Sequence, residues 1–299
     1  MDKKFEIRQS ILGLRGSFGA ILDLYLESNP CKFKIVTADT AASAGLSRFK
    51  SKSPDSFIEC GIAEQSATAI ASAIALENYE VYLGSFSPFI VGRSWEQIRL
   101  ASYMNTNMTI FGFGAGIGLS YLGFTHCSLE DCSLINSIPC TTIFEPSSPS
   151  DIFDALKFSK NIPGIKYIRL TGDGPISKKL FDGFIKINQN MKLYKKNKTK
   201  LIICSGYLAS RLIESHSENY DFLTINQISN LEIDFSNLDF INDYKEIYCF
   251  HESYENFLAK LFTPLKNLKI QTFNPKKVFS KPGDYNYVSK NLDFDINSF

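Results

Sequence analysis

The sequence predicts an α/β protein with a doubly wound, parallel-sheet domain followed by a smaller α/β domain. Over residues 8–170, short apolar segments alternate with segments whose apolar residues recur at helical spacing. Strands and helices that alternate in this way form a parallel sheet with helices on both faces. After a stretch rich in Lys and Asn, the alternation resumes on a smaller scale. We therefore expect domains at 1–171 and 199–299, joined by a linker at 172–198.

Each element of the first domain is predicted from its local pattern. Strands are expected at the short apolar runs 32–39, 56–60, 80–86, 108–114, 140–146 and 165–170. Helices are expected where the apolar period is helical, at 8–28, 61–78, 88–104, 127–138 and 148–160. Pro149 lies near the start of the last helix, and Ser150 is its expected cap. Ligands of such sheets bind at the carboxyl ends of the strands.

The second domain contains fewer predicted elements. Strands are expected at 200–206, 221–228 and 245–253, and a helix is expected at 208–217. From Phe279 onward the sequence is rich in Lys, Asn and Asp and has little periodicity, so we expect a surface tail.

Composition excludes several classes of function. With a net charge of +1 and 21% charged residues, the chain lacks the charge pattern of a nucleic-acid or membrane-surface protein. No apolar run has the length of a signal sequence or a membrane span. The seven cysteines form no CxxC pair, so we expect buried, reduced thiols, including Cys127, Cys132 and Cys140. These features favour a cytoplasmic protein.

Four residues near predicted strand ends point to chemistry. Glu64 follows a strand and enters a helix of small apolar residues, as a buried carboxyl group or a partner of the helix dipole would. Phe86 and Phe89 lie on a strand-to-helix turn, where they either face a ligand or fill the core. His126 ends a glycine-rich loop, which suits either a substrate contact or a structural role.

The order and spacing of these residues resemble the pyrimidine-binding domain of transketolases. The resemblance is carried by the runs FIECGIAEQ, FSPFIVGRSWEQIR and AGIGLSYLGFTH, followed by SLED. It is strong over 35–170 and diffuse over the rest of 8–291. The chain is most similar to transketolases split into two polypeptides, whose second subunit combines a pyrimidine-binding domain with a C-terminal domain.

The resemblance implies a site for thiamine diphosphate. Glu64 matches the glutamate that hydrogen-bonds the aminopyrimidine ring, where a carboxyl group in an apolar pocket can give and take a proton. Phe86 and Phe89 match the aromatic residues that pack around this ring. Asp39 is also expected among the cofactor-binding residues. The cofactor would act as nucleophile and electron sink.

The match to the family is less complete at the positions that bind substrate. Arg15, Ser43 and Arg169 fall where transketolases hold the phosphate of a sugar, and arginines with a hydroxyl group suit phosphate. His126 matches the histidine that contacts substrate hydroxyls, and we expect it to be a catalytic residue as well.

Two positions depart from the family pattern. The family's loop usually carries an acidic pair before the glycine, where this chain has Tyr121 and Leu122. Leu122 therefore replaces the aspartate that discriminates between donor sugars, and Gly114 replaces a histidine that contacts phosphate. Losing a hydroxyl-binding carboxylate should change which ketose is accepted, so classical pentose-phosphate activity is in doubt.

The resemblance also implies that half of the cofactor site lies on another polypeptide. In this family Mg²⁺ and the diphosphate are held by a GDG motif and a following Asn in a separate domain. Residues 172–174 read GDG, but they follow the last strand of the first domain and Asn188 comes too soon, so we interpret them as a turn. Mg²⁺ would be held by an N-terminal, diphosphate-binding subunit on a separate chain, in a heterodimer or a dimer of heterodimers.

The implied function is one half of a split transketolase, which transfers a two-carbon ketol unit between phosphorylated or activated sugars. One alternative keeps the cofactor but decarboxylates a 2-oxo acid, as β subunits of 2-oxo-acid dehydrogenases and deoxyxylulose-phosphate synthase do. Another alternative is a non-catalytic, regulatory subunit. Leu122 and Gly114 lend weight to a regulatory subunit, whereas Glu64 with both phenylalanines favours catalysis.

Overall fold

The chain folds into two α/β units, each built on a six-stranded sheet. The computed structural model describes residues 2–181, 183–231, 233, 238–265 and 268–296. Within these ranges, no helix is long and apolar enough to cross a membrane. The predicted class, a parallel-sheet domain followed by a smaller α/β domain, is confirmed.

The first sheet is parallel throughout. Its strands are β1 (Phe33–Thr37), β2 (Phe57–Glu59), β3 (Glu80–Phe86), β4 (Met108–Ala115), β5 (Thr141–Phe144) and β6 (Ile165–Thr171). They lie in the order β2-β1-β3-β4-β6-β5, and all six agree with the predicted strands. Helices cover both faces of such a sheet, and every residue of the central strand β4 is accordingly buried.

Seven helices accompany this sheet in the described part of the chain. They are α1 (Lys3–Ser10), α2 (Gly13–Ser28), α3 (Ser47–Lys52), α4 (Glu64–Leu76), α5 (Trp95–Tyr103), α6 (Asp131–Asn136) and α7 (Pro149–Ser159). The cap of α7 is Ser148 and not Ser150, because the Ser148 hydroxyl accepts a hydrogen bond from the Asp151 N–H at 3.2 Å.

Two predicted helices are interrupted. The helix expected at 8–28 is divided into α1 and α2 at Gly13, whose φ of +71° leaves the right-handed helical region. A side chain could not replace this glycine, because a Cβ would lie 2.5 Å from the carbonyl oxygen of Gly174. The helix expected at 88–104 starts with a π-helical turn, Pro88–Arg93, and continues as α5.

The second sheet is mixed. Its strands are β7 (Phe184–Lys186), β8 (Met191–Tyr194), β9 (Lys200–Cys204), β10 (Asp221–Ile225), β11 (Glu246–Phe250) and β12 (Ile270–Phe273). They lie in the order β12-β11-β9-β10-β8-β7, with β9 to β12 parallel and β7 and β8 antiparallel at one edge. The helices of this unit are α8 (Gly206–His216), α9 (Phe257–Leu261) and α10 (Tyr285–Asn291).

Two segments differ from expectation in this unit. The stretch 172–198, expected as a linker, contains β7 and β8, which extend the second sheet. The prediction of a surface tail from Phe279 onward is wrong for the residues from α10 to the end of the described chain. Phe279 is 87% exposed, but α10 follows, and Leu292, Phe294 and Ile296 are buried in the core.

The two units are joined by backbone hydrogen bonds between β5 and the segment that follows β10. The Glu145 N–H donates to the Asn226 carbonyl at 2.7 Å, and the Ile228 N–H donates to the Ile143 carbonyl at 2.9 Å. The carboxyl ends of β2, β3 and β4 meet at one edge of the first sheet, since all three strands run in parallel. This edge holds four of the predicted site residues.

Candidate cofactor and substrate site

Four of the predicted site residues lie close together at this edge. The centroid of the Phe86 ring, at the end of β3, lies 6.2 Å from that of Phe89. The His126 ring lies 6.3 Å from Phe86 and 5.4 Å from Phe89. The three pairs meet edge to face, a favourable arrangement of aromatic rings. Glu64 is connected to Phe89 through the side chain of Arg93.

Glu64 is the first residue of α4, and its carboxylate is buried with 2% exposure. Its Oε2 accepts a hydrogen bond from Nη1 of Arg93 at 2.6 Å, which makes an ion pair. No hydrogen bond from a described residue reaches Oε1. The carboxylate is thus buried as expected, but its surroundings are not apolar, because a cation lies against one oxygen.

Arg93 is the site residue that sequence reasoning missed. It ends the π-helical turn, its side chain is 48% exposed, and its guanidinium lies 4.9 Å from the centroid of the Phe89 ring. Gln65 fixes the backbone here, because its Nε2 donates to the Arg93 carbonyl at 3.2 Å. The sequence does show an arginine in the turn after the aromatic pair. Its ion pair with Glu64 could not be predicted, because the two residues are far apart in the chain.

His126 stands in a loop of two short turns, Ser120–Leu122 and Phe124–His126. Gly123 separates the turns with a φ of +92°, a conformation that favours glycine. The Thr125 hydroxyl lies 3.0 Å from Nδ1 of His126, so this nitrogen has a local hydrogen-bond partner. The imidazole is half-buried beside the two phenylalanine rings, where it can also contact a small molecule.

Arg15 lies in a second, partly exposed cluster with Tyr121 and Asp173. Its Nη2 donates to Oδ1 of Asp173 at 2.5 Å, and the Tyr121 hydroxyl donates to Oδ2 at 2.9 Å. The GDG run is therefore a turn that ties α2 to the loop of His126. Nowhere in the described part of the chain are three or more His, Cys, Asp or Glu side chains placed to bind a metal ion.

Arg169 is placed differently from the phosphate-binding role that we expected. Its guanidinium is fully buried and forms ion pairs with Asp131 (2.8 Å) and Glu145 (2.7 Å). Its Nη2 also donates to the carbonyls of Ser128 and Glu252. Each nitrogen of the guanidinium thus has a partner inside the protein, and the phosphate-binding role of Arg169 stays a prediction.

The remaining expected residues stand apart from the cluster. Asp39 follows β1 with a φ of 56°, and its N–H donates to Oε1 of Glu59 at 2.6 Å. Ser43 lies half-buried in the turn before α3. Both follow β1 in the chain, and no hydrogen bond or ion pair among the described residues joins them to Glu64.

The two departures from the family pattern have physical consequences. Leu122 is 49% exposed, so an apolar group faces solvent where a carboxylate was expected. Gly114 has a φ of +65°, and a Cβ there would lie 2.2 Å from Cδ1 of Leu119. A histidine cannot occupy position 114 without moving Leu119 and straining the backbone.

All seven cysteines are free; Cys127 and Cys132 are buried, whereas Cys140 is exposed, contrary to expectation.

The segments matched in curated relatives cover about half of this chain. It is 33% identical over 138 residues to one subunit of the apulose-4-phosphate transketolase of Actinobacillus succinogenes, a segment that covers 46% of this chain and 44% of that protein. It is 35% identical over 132 residues to human transketolase, and this matched segment covers 44% of this chain and 21% of that enzyme. The matched segment thus spans less than half the length of either relative.

The fold is also found in solved structures. A split-gene transketolase, described as an inactive beta4 tetramer, superposes with a TM-score of 0.73 at 21% identity, over 89% of this chain and 90% of that one. The transketolase of Campylobacter jejuni superposes with a TM-score of 0.73 at 18% identity, over 95% of this chain and 45% of that one.

The family of this chain follows from its match to the sequence model of one domain family. The model of the transketolase pyrimidine-binding domain matches residues 13–171, which is more than half of the chain and includes Glu64, Phe86, Phe89 and His126. On this match, the chain belongs to the transketolase pyrimidine-binding family.

Proposed function

We propose that this chain supplies the pyrimidine-binding half of a thiamine-diphosphate enzyme that transfers a two-carbon ketol unit between sugars. The observation that carries the proposal is the buried Glu64 carboxylate, which Arg93 links to the cluster of Phe89, Phe86 and His126. Buried carboxylates are costly unless they are paired, and active sites are where such groups are retained. The family match over 13–171 includes this cluster, which supports its assignment to the cofactor.

The residues fit the pyrimidine end of thiamine diphosphate. The Glu64 carboxylate would hold the proton that the ring shares with it, and the Phe86 and Phe89 rings would pack against the aminopyrimidine. When bound, the cofactor would supply a nucleophilic carbon and an electron sink. His126 would bind substrate hydroxyls beside this ring, and Arg15 with Asp173 would form the polar rim.

A partner polypeptide would complete the site. The chain spans 90% of a split-gene transketolase chain but only 45% of a full-length transketolase, which supports the interpretation that it is half of an enzyme. We assign the diphosphate and Mg²⁺ to an N-terminal subunit encoded separately. The similar chain that forms a beta4 tetramer is described as inactive, so we expect this chain to be inactive by itself.

The donor would be a phosphorylated ketose that does not need a carboxylate at position 122. The exposed Leu122 side chain cannot accept a hydrogen bond from a sugar hydroxyl, so an ordinary pentose phosphate loses one contact. One relative is named for apulose 4-phosphate, which supports a substrate other than the usual pentose phosphates. We therefore include apulose 4-phosphate in the proposed substrate class.

The test is ketol transfer by this chain co-expressed with a partner that carries the diphosphate motif. Glu64→Gln should reduce kcat by about 10²- to 10⁴-fold, the range expected for a lost proton-transfer group. Glu77→Gln, an exposed glutamate just after the same helix, should leave kcat unchanged. If Glu64→Gln retains full turnover, the proposed function is wrong; release of CO₂ from a 2-oxo acid would favour the decarboxylating alternative instead.

A further inference from the structure

Arg93 makes contacts that a ligand of the site would make. Its guanidinium donates to Oε2 of the buried Glu64 at 2.6 Å and lies over the Phe89 ring at 4.9 Å. Cationic planar groups bind well in this way, with a hydrogen bond to a carboxylate and a face against an aromatic ring. Nearly half of the side chain is exposed, so the guanidinium can leave without disturbing the packing of the core.

The chemistry of the guanidinium is close to that of an aminopyrimidine edge. Each is flat, and each presents a nitrogen–carbon–nitrogen edge that can pair with a carboxylate. Under the proposed function, Glu64 and Phe89 are also two of the residues that hold the cofactor ring. The face of Phe89 cannot be covered by the guanidinium and by the ring at the same time.

We propose that Arg93 is a cofactor-pocket residue that occupies the place of the aminopyrimidine ring until thiamine diphosphate displaces it. This inference rests on the proposed function of the site. The role is physically reasonable because Glu64 is only 2% exposed, and an unpaired buried carboxylate is strongly unfavourable. Arg93 neutralises it while the ring is absent, and the cofactor must compete with Arg93 to bind.

Competition of this kind weakens the apparent affinity for the cofactor. The apparent Kd equals the intrinsic Kd divided by the fraction of sites that are open. If the guanidinium closes nine sites in ten, its removal lowers the apparent Kd about tenfold. Arg93→Met keeps an unbranched apolar side chain but removes the donors.

The first test measures the Kd of thiamine diphosphate, with Mg²⁺, for the assembled pair of subunits by calorimetry. We expect a several-fold lower Kd in Arg93→Met. The matched control is Arg99→Met, since Arg99 also lies over a ring, that of Trp95 at 5.8 Å, but has no role in the site; its Kd should stay at the wild-type value. An unchanged or higher Kd in Arg93→Met would overturn the proposal.

The second test uses this chain alone and needs no cofactor. Arg93→Met should lower the melting temperature because it leaves Glu64 buried without its cation, and Glu64→Gln in the same chain should restore most of the loss. Additive effects would contradict the pairing on which the inference depends. If the wild-type pair of subunits binds no cofactor, the proposed function fails, whereas this melting result still tests the ion pair.

Discussion

Glu64 and Arg93 set the character of the site at the scale of single residues. Glu64 could be predicted because it stands after a strand at the mouth of a helix, and Phe86, Phe89 and His126 because they lie on turns at strand ends. Arg93 could not be placed, since it is 29 residues from Glu64 and the ion pair depends on a π-helical turn. Such a turn leaves no periodic pattern in the sequence.

Gly114 gives a prediction at the same scale. Gly114→Ala should lower the free energy of unfolding by roughly 2–4 kcal/mol, because it strains a backbone with a φ of +65° and drives a Cβ into Leu119. The measurement is urea denaturation of the purified chain. Gly92→Ala is the control, because no atom outside its chain neighbours and its own helical turn lies within 4 Å of its Cβ position; a comparable loss in both variants would contradict this account.

At the scale of elements, the end of β6 holds the two units together. Arg169 reaches from β6 to Asp131 in α6 and to Glu145 after β5, and Glu145 in turn accepts from Nε2 of His251 at 2.8 Å. Strand β6 could be predicted from the sequence, but the direction in which the Arg169 side chain points could not. The acidic partners are 24 and 38 residues away in the chain, and the second unit contributes the Glu252 carbonyl to the same guanidinium.

This cluster predicts a pH dependence of stability. Burial alone would raise the pKa of Glu145, but Arg169 and His251 lower it from 4.5 to about 2. A carboxyl group with a lowered folded-state pKa stabilises the fold above its unfolded pKa and loses that stabilisation as the pH falls. We expect the free energy of unfolding to fall between about pH 4.5 and pH 2 on account of Glu145.

Thermal unfolding over this pH range would measure the effect. Glu145→Gln should be less stable than the wild-type chain at neutral pH by roughly 3–5 kcal/mol, since it leaves Arg169 with one buried partner fewer. The difference should narrow as the pH approaches 2. A difference that stays constant down to pH 2 would show that the carboxylate is not the stabilising group.

At the scale of the whole molecule, the order of the elements is more predictable from the sequence than their ends. The alternation of strands and helices is enough for a doubly wound sheet. The segment 172–198 resembles a linker because β7 and β8 are only three and four residues long, and Lys and Asn stand between their apolar residues. The spacing of Val288, Leu292 and Ile296 signals a buried face, but the surrounding Lys, Asn and Asp obscure it.

The central claim is a catalytic site divided between two polypeptides, and cofactor binding tests it most directly. Thiamine diphosphate with Mg²⁺ should be titrated by calorimetry into this chain, into the partner, and into the two together. We predict measurable binding only for the two together, weakened by Glu64→Gln. Binding of equal strength by this chain alone, or by the pair irrespective of Glu64, would contradict the divided site.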